Sequence, residues 1–169
     1  LFRSSTLNAP EGRFQYFRSA IGVIAIVDYA HTPDALSNVL DTINTIRSGN
    51  EQLICVMGCG GDRDAAKRPI MGQIACAKSN KVVVTSDNPR SEEPKDIIQA
   101  IVNDLDPVEK RKVLTMVNRD EAIAAACSLA QPGDIVLVAG KGHEKYQEIK
   151  GVKHPFDDFQ MVQEILKQQ

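Results

Sequence analysis

The sequence has no long apolar run and no excess of charge of one sign. None of its apolar stretches approaches the roughly 20 residues that a helix needs to cross a bilayer, so no membrane segment is expected. Its 20 basic and 22 acidic residues give a formal net charge of −2. Such a balance does not suit nucleic acid or an anionic membrane surface, and neither is expected as a partner.

Cysteines are few, and no two form a C-x-x-C pair. The four are Cys55, Cys59, Cys76 and Cys127, and three of them lie within apolar segments. Buried free thiols in a reducing cytoplasm fit this distribution. The only close pair, Cys55 and Cys59, has no nearby histidine, so a zinc site is not expected. We therefore expect free thiols, a cytoplasmic location and no metal bound by this chain.

The beginning of the chain lacks an initiator methionine and the apolar stretch of a signal peptide. We therefore expect a piece of a longer protein. Its 169 residues, 43% of them hydrophobic and 25% charged, are ordinary for one globular domain with a substantial core. The expected organisation is a lead-in or linker at residues 1–11 and a single domain at residues 12–169.

Strand-like and helix-like segments alternate along the chain. Strands are expected at residues 13–17, 24–27, 53–57, 82–85, 112–117, 135–139 and 146–149. Helices are expected at 33–47, from 69, from 94, at 119–130 and at 157–166. This alternation predicts an α/β fold in three layers (α/β/α), with a doubly wound, Rossmann-like, mostly parallel sheet of about six strands and helices on both faces.

Polar segments follow four of the predicted strands. They are residues 28–33 (Asp-Tyr-Ala-His-Thr-Pro), 58–64 (Gly-Cys-Gly-Gly-Asp-Arg-Asp), 87–90 (Asp-Asn-Pro-Arg) and 140–144 (Gly-Lys-Gly-His-Glu). In open α/β sheets, ligands bind in the crevice outside the carboxyl ends of the strands. Four strand ends rich in glycine and charge therefore predict one binding rim.

Residues 87–90 place a carboxylate, an amide and a guanidinium close together. Asp87 suits an ammonium group, and Arg90 offers a planar fork to a carboxylate. The segment therefore suits a small zwitterion. Asp-Asn-Pro is also a common turn, so both interpretations stay open on these residues alone.

The other three segments also allow structural interpretations. Residues 58–63 lack the Gly-Lys-Ser/Thr of a phosphate loop and the spacing of a dinucleotide fingerprint, so their glycines could mark only a tight turn. Asp28 and His31 could form a metal or acid–base pair, or could shape the loop before a helix capped by Thr32. Residues 140–144 could bind a phosphate and an ammonium, or could form a solvated glycine turn.

Taken together, the four segments resemble the C-terminal domain of the Mur ligases. Residues 67–69 (Lys-Arg-Pro) and 92–94 (Glu-Glu-Pro) extend two of the motifs, and all of them occur in the order of that family. The resemblance runs from about Gly12 to the end of the chain. Within the family it points to the members that add meso-diaminopimelate during peptidoglycan precursor synthesis.

The resemblance implies a three-domain ligase, with UDP-binding and ATPase domains before this one. Such an enzyme uses ATP and Mg²⁺, bound mainly by the central domain, to convert the carboxylate of UDP-MurNAc-L-Ala-D-Glu into an acyl phosphate, which the incoming amine attacks. The implied partners are meso-diaminopimelate, ATP and, in the full-length enzyme, the UDP-MurNAc-dipeptide. The domain alone is expected to be monomeric and inactive.

The resemblance also assigns roles to residues. Arg13 and Asp28 match positions that reach the nucleotide, Arg13 toward phosphate and Asp28 toward ribose, with His31 beside them. The residues matching positions that hold diaminopimelate are Arg63, Asp87, Asn88, Arg90, Gly140 and Glu144. In this set Arg90 and Asn88 would take the distal carboxylate, while Glu144 and the Gly140 carbonyl would take the distal ammonium. No residue is assigned as catalytic, and Lys141 and His143 receive no role.

Three rival functions remain. An L-lysine-adding relative would lack an arginine at the position of Arg90. A stand-alone amino-acid-binding module would bind its ligand without turning it over. A metal hydrolase would use Asp28, His31 and His143 together.

Overall fold

The computed structural model describes residues 10–169, so most of the predicted lead-in, residues 1–9, lies outside the described residues. The helices are α1 (Pro33–Ile46), α2 (Lys67–Lys78), α3 (Pro94–Val102), α4 (Pro107–Lys110), α5 (Arg119–Leu129) and α6 (Asp158–Leu166). The strands are β1 (Gln15–Arg18), β2 (Ile24–Asp28), β3 (Leu53–Met57), β4 (Lys81–Val84), β5 (Val113–Thr115), β6 (Ile135–Ala139), β7 (Tyr146–Ile149) and β8 (Val152–Pro155).

Six of these strands form one sheet, in the order β1-β2-β6-β3-β4-β5. β1 runs antiparallel to β2, and the other neighbours are parallel. The central strands β3 and β6 are buried along their whole length, as strands covered on both faces are. The predicted α/β fold with a doubly wound, mostly parallel sheet is therefore confirmed.

Helices cover both faces of this sheet. Because successive side chains of a strand point to opposite faces, Cys55 of β3 packs with the apolar sides of α1, α2 and α3. Its neighbour Ile54 packs instead with α5 and α6. The two cores lie on either side of one sheet, and they leave the carboxyl ends of the parallel strands together at one edge.

The first helix begins as its sequence predicts. Thr32 caps it by accepting a hydrogen bond from the Ala35 N–H at 3.2 Å, and Pro33 occupies the first turn. Helix α2 begins at Lys67, two residues before the predicted start at Pro69. Proline is tolerated in a first turn because the N–H it lacks would have no partner within the helix, so Pro69 does not mark the first residue.

Several shorter elements differ from the prediction. Strand β5 covers three residues, against six predicted at 112–117. The single-turn helix α4, closed by a capping box between Asp106 and Glu109, was not predicted. Strand β8 was not predicted either, and it is exposed throughout, including His154. Elements this short and exposed bury too little apolar surface to leave a periodic pattern in the sequence.

All four cysteines are free and buried, as predicted. Among residues 10–169, no helix is long and apolar enough to pass through a bilayer.

Candidate functional site

A cleft of about 700 Å³ lies where strands β2, β3, β4 and β6 end. It is lined by His31 and by every residue predicted to hold diaminopimelate. The latter are Arg63, Asp87, Asn88, Arg90, Gly140 and Glu144. These residues come from separate loops, and the parallel topology brings the loops to one edge. The structure thus places the predicted set together, while the role of each residue stays a prediction.

Charges of both signs meet at the buried side of the cleft. The ammonium of Lys141 is fully buried, with Nζ 2.8 Å from Asn88 Oδ1 and 3.2 Å from Glu144 Oε2. The carboxylate of Asp87 lies 3.7 Å from the same Nζ. Asn88 Nδ2 donates to Glu144 Oε2 at 3.1 Å. These four side chains therefore form one network, which links the loop after β4 to the loop after β6.

Arg90 lies at the cleft wall in a backbone conformation that is unusual for its type. Its φ is 52°, in the left-handed region. The hairpin of β7 and β8 holds it there, since Arg90 N–H donates to Glu148 O at 3.0 Å and Lys150 N–H donates to Arg90 O at 2.8 Å. The guanidinium donates to Gly61 O at 2.9 Å and lies 3.5 Å from the Glu148 carboxylate. Both backbone and side chain are thus fixed.

The glycines after β3 permit two loops to touch. Gly61 N–H donates to Asn88 O at 2.8 Å, and a Cβ on Gly61 would collide with the Pro89 carbonyl. A Cβ on Gly60 would lie 2.8 Å from an Arg90 guanidinium nitrogen. These glycines permit close approach of the two loops, and neither Gly60 nor Gly61 has a positive φ.

Two polar contacts brace the same pair of loops. The buried Arg68 guanidinium pairs with Glu92 at 2.9 Å, and Ser91 donates to Asp62. The hydrogen bond from Arg68 holds the pKa of the Glu92 carboxyl below its usual value, and those from Ser91 lower the pKa of Asp62. Lowered carboxyl pKa values stabilise the fold at neutral pH, and that contribution is lost as the pH falls through them.

Gly140 must be a glycine for two reasons. Its φ of 119° is one that side chains disfavour, and a Cβ there would lie 2.6 Å from Asp87 Oδ2. The loop after β6 therefore runs directly against the Asp87 carboxylate. Close to them, Arg63 is exposed at the rim and bonds only the neighbouring Asp62 carbonyl, at 3.0 Å, among the described residues.

Beneath the cleft, Arg119 joins the ends of two strands to the last helix. Its guanidinium donates to Ser86 O at 3.0 Å and to Ala139 O at 3.2 Å, and it pairs with Asp158. Burial disfavours the charge, but the attraction of Asp158 outweighs it, so the pKa of Arg119 lies above its ordinary value. Ser86 and Ala139 directly precede Asp87 and Gly140, so this pair supports both loops.

Two of the three residues expected to reach the nucleotide, Arg13 and His31, lie around Tyr29 together with His143, which received no predicted role. The Arg13 guanidinium lies 5.5 Å from the centre of its ring, and the rings of His31 and His143 lie at 4.5 and 5.1 Å. Arg13, His31 and His143 are exposed. This group is a cationic and aromatic edge of the cleft, whose lining includes Tyr29 and His31, and it is of the kind that suits a phosphate and a base.

Asp28 lies next to this group, but its carboxylate already has backbone partners. Oδ2 accepts from Phe14 N–H at 2.8 Å and Oδ1 accepts from Ala30 N–H at 2.9 Å. Asp28 thus shapes the loop after β2, and each oxygen keeps a second lone pair for a ligand. In residues 10–169, no three His, Cys, Asp or Glu side chains lie close enough to hold a metal ion. The structure therefore gives no support to a metal site built on Asp28, His31 and His143.

Several residues that shape the cleft have no predicted role. Lys141 lies in one of the predicted motifs without a predicted function, and no sequence feature singles out Glu148 or Arg119. Lys141 carries a local signal, a lysine between two glycines at a strand end. Glu148 and Arg119 carry none, because their partners are 58 and 39 positions away in the chain, as the numbers of Arg90 and Asp158 show.

The geometry defines a class: an α/β domain with a cleft of mixed charge at its strand ends, bordered by a cationic and aromatic surface. Comparison with known families agrees, since residues 12–142 match the family model described as "Mur ligase, glutamate ligase domain". The chain belongs to the Mur ligase family.

Its relatives include ligases named for diaminopimelate. The UDP-N-acetylmuramoyl-L-alanyl-D-glutamate–2,6-diaminopimelate ligase of Cytophaga hutchinsonii is 57% identical over 98% of this chain and 34% of its own length. The ligase of the same name from Syntrophomonas wolfei is 51% identical over 92% of this chain and 32% of its own length. The chain thus spans about a third of the length of these relatives.

Solved structures give the same fold. A structure of a ligase with that name superposes with a TM-score of 0.85 at 47% identity, over 94% of this chain and 31% of its own. The UDP-N-acetylmuramate-alanine ligase of Thermotoga maritima superposes with a TM-score of 0.60 at 18% identity, over 94% of this chain and 30% of its own. The second likeness concerns the fold alone.

Proposed function

We propose that this chain is the amino-acid-binding domain of an ATP-dependent ligase that adds meso-diaminopimelate to UDP-MurNAc-L-Ala-D-Glu. The observation that carries the proposal is the single cleft lined by Asn88, Arg90 and Glu144 at the ends of parallel strands. An amide, a guanidinium and a carboxylate at one wall complement a carbon that bears both a carboxylate and an ammonium. The names of the relatives support the same substrate.

In this proposal each end of diaminopimelate has its own partners. The distal carboxylate bonds the Arg90 guanidinium and Asn88 Nδ2. The distal ammonium bonds Glu144 and the Gly140 carbonyl, with Asp87 behind them. Arg63 is exposed at the rim, where its guanidinium can turn to a carboxylate at the other end of the ligand.

The domain contributes orientation to the reaction. The ligase activates the dipeptide carboxylate as an acyl phosphate, the amine of diaminopimelate attacks the acyl carbon, and inorganic phosphate leaves as the amine loses a proton. Holding the distal end in the cleft fixes the attacking amine, and good orientation lowers such a barrier greatly. Arg13, Asp28 and His31 would touch the edge of ATP, while the central domain would hold Mg²⁺ and most of the nucleotide. We place the enzyme in the cytoplasm, in keeping with four free buried thiols.

Lysine is the nearest competing substrate, because it lacks only the distal carboxylate. Binding lysine would leave the Arg90 guanidinium with Glu148 but without a carboxylate from the ligand. Sites built to bond a polar group reject analogues lacking it by up to roughly 10⁴–10⁵. The fixed position of Arg90 therefore favours diaminopimelate over lysine.

The test is amide formation by the complete ligase that contains this domain. UDP-MurNAc-L-Ala-D-Glu, ATP and Mg²⁺ are supplied with either meso-diaminopimelate or L-lysine, and mass spectrometry identifies the product. We expect the diaminopimelate product and at least about 100-fold lower kcat/KM for lysine. Preference for lysine would overturn the substrate assignment, and binding of diaminopimelate without product would favour a stand-alone binding module.

A further inference from the structure

Lys141 has no exposed surface, yet its ammonium touches three side chains of the proposed amino-acid site. Nζ lies 2.8 Å from Asn88 Oδ1, 3.2 Å from Glu144 Oε2 and 3.7 Å from Asp87 Oδ1. The ring of Tyr146, a residue of the cleft lining, lies with its centre 5.5 Å from Nζ. An ammonium enclosed in this way acts on a bound amino acid through its neighbours.

The orientation of the Asn88 amide depends on this contact. Asn88 Oδ1 accepts from Lys141 Nζ and also from Glu148 N–H at 2.9 Å. Two donors fill the two lone pairs of that oxygen. Turning the amide over would set its NH₂ group against an ammonium and a backbone N–H, and neither of these can accept a hydrogen bond. The oxygen is therefore held inward.

The same arrangement determines what Asn88 and Glu144 offer to a ligand. Asn88 Nδ2 uses one N–H for Glu144 Oε2 at 3.1 Å, which leaves its second N–H as a donor. Lys141 and Asn88 both bond Oε2 of Glu144, and among residues 10–169 no hydrogen bond is made to Oε1. The result is one free donor for a carboxylate beside one free acceptor for an ammonium.

Charge acts in the same direction. The Asp87 and Glu144 carboxylates converge on one side of the cleft, and their mutual repulsion would separate the loops after β4 and β6. The Lys141 ammonium lies between them. Removing it would leave two carboxylates without their shared partner, a costly arrangement at buried positions.

We propose that Lys141 is a positioning residue: by holding Asn88 Oδ1 and Glu144 Oε2, it presents the Asn88 amide as a donor and Glu144 as an acceptor to the distal end of the amino acid. This proposal rests on the proposed function for the identity of the ligand. The orientation of Asn88 does not, and it can be measured without any ligand.

The first measurement therefore uses the free domain. The side-chain amide signals of Asn88 are assigned in ¹⁵N-labelled protein with the help of Asn88→Asp, and their shifts and solvent exchange are compared between wild type, Lys141→Met and Lys141→Gln. Lys145→Met is the matched control, because Lys145 is in the same segment but pairs with Glu11 and Asp157 away from the cleft. Lys141→Met should shift the Asn88 amide and speed its exchange, and Lys145→Met should leave it unchanged.

The second measurement uses the complete ligase. Lys141→Met should raise the KM for diaminopimelate about tenfold or more, as expected for loss of a hydrogen bond to a charged group, with the KM for ATP unchanged. Lys141→Gln should lie nearer wild type, because its N–H can still donate to Asn88 Oδ1. If Lys141→Met does not fold, both measurements are made on Lys141→Gln and compared with those on Lys145→Met.

Each outcome decides a separate question. Unchanged shifts and exchange of the Asn88 amide in Lys141→Met would overturn the positioning role. Equal increases in the KM for diaminopimelate and in the KM for ATP would also overturn it, and so would identical behaviour of Lys141→Met and Lys141→Gln. A wild-type ligase that does not add diaminopimelate would overturn the proposed function, and the amide signals of the free domain would still decide the role of Lys141.

Discussion

Arg119 and Asp158 form a two-pronged ion pair that is completely shielded from solvent, with Nε 2.8 Å from Oδ1 and Nη2 2.7 Å from Oδ2. Asp158 begins helix α6, and Arg119 begins helix α5. Two of the three remaining guanidinium hydrogens bond the carbonyls of Ser86 and Ala139. One pair thus connects two helices to the two strand ends that carry the site.

The first prediction concerns this pair. Replacing Arg119 by Met should lower the free energy of unfolding by about 3–5 kcal/mol, because the buried Asp158 carboxylate loses its partner. The double variant Arg119→Met/Asp158→Leu should recover part of that loss, although the Ser86 and Ala139 carbonyls stay unbonded. Urea unfolding measures both.

An exposed pair provides the control for this prediction. Lys78 and Asp41 lie 2.6 Å apart with both side chains accessible to water. Lys78→Ala should change the free energy of unfolding by no more than about 1 kcal/mol. Equal effects of Lys78→Ala and Arg119→Met would show that the buried pair has no special part in stability.

The second prediction separates the two demands on Gly140. Gly140→Ala forces a side chain into a φ of 119° and sets its Cβ 2.6 Å from Asp87 Oδ2, while Gly49→Ala meets a similar φ of 100° with no atom nearby. Both variants should lose about 1–3 kcal/mol of stability from backbone strain. Only Gly140→Ala should also weaken binding of diaminopimelate, as measured by calorimetric titration. Equal binding by the two variants would contradict contact between the loop of Gly140 and the site.

The third prediction follows from the burial of the thiols. Burial raises the pKa of Cys55 to about 12 and that of Cys59 to about 11. At pH 8 the reactive thiolate is then no more than roughly one part in a thousand, so DTNB should titrate almost no thiol in the folded protein and four in denaturant. A raised folded pKa contributes stability below the ordinary value, and this contribution is lost as the pH rises toward 11. Rapid reaction of a thiol in the folded protein would contradict its burial.

Much of the candidate site follows from topology alone. Once the strands were predicted as parallel, the segments after β3, β4 and β6 had to meet at one edge, and residues 58–64, 87–90 and 140–144 do meet there. The order of the apolar runs and the polar residues that follow them are enough to predict where these residues lie. Their roles stay predictions.

The supports of the site could not be predicted in this way. Glu148 approaches Arg90 only because the hairpin of β7 and β8 folds back on the loop after β4. No apolar pattern in this hairpin, whose β7 is half-buried and whose β8 is exposed, predicts that contact. Arg119 opens an alanine-rich helix, where an arginine is usually solvated. Its burial depends on Asp158, and tertiary packing brings the two together.

The last prediction concerns Arg90, whose guanidinium is held by Gly61 O and Glu148. In the complete ligase, removal of this partner of the distal carboxylate should cost on the order of 2–5 kcal/mol. Arg90→Ala should therefore lower kcat/KM for diaminopimelate by about 30-fold or more. The KM for ATP should stay near wild type, because Arg13 and Asp28 lie outside the lining of the cleft. His31 lies within the lining, but its ring bonds Tyr29 O and not Arg90.

The measurement compares Arg90→Ala with the control Arg111→Ala. Arg111 is an exposed residue at the end of α4 and is not among the residues that line the cleft. Each is assayed with diaminopimelate and with lysine at saturating ATP. Lysine need not become a good substrate, since Glu144 and Arg63 stay arranged for the original ligand. The ratio of the two kcat/KM values should nevertheless fall in Arg90→Ala and stay constant in Arg111→Ala. If Arg90→Ala keeps wild-type kinetics with diaminopimelate, the distal carboxylate is bound elsewhere and the assignment of Arg90 is wrong.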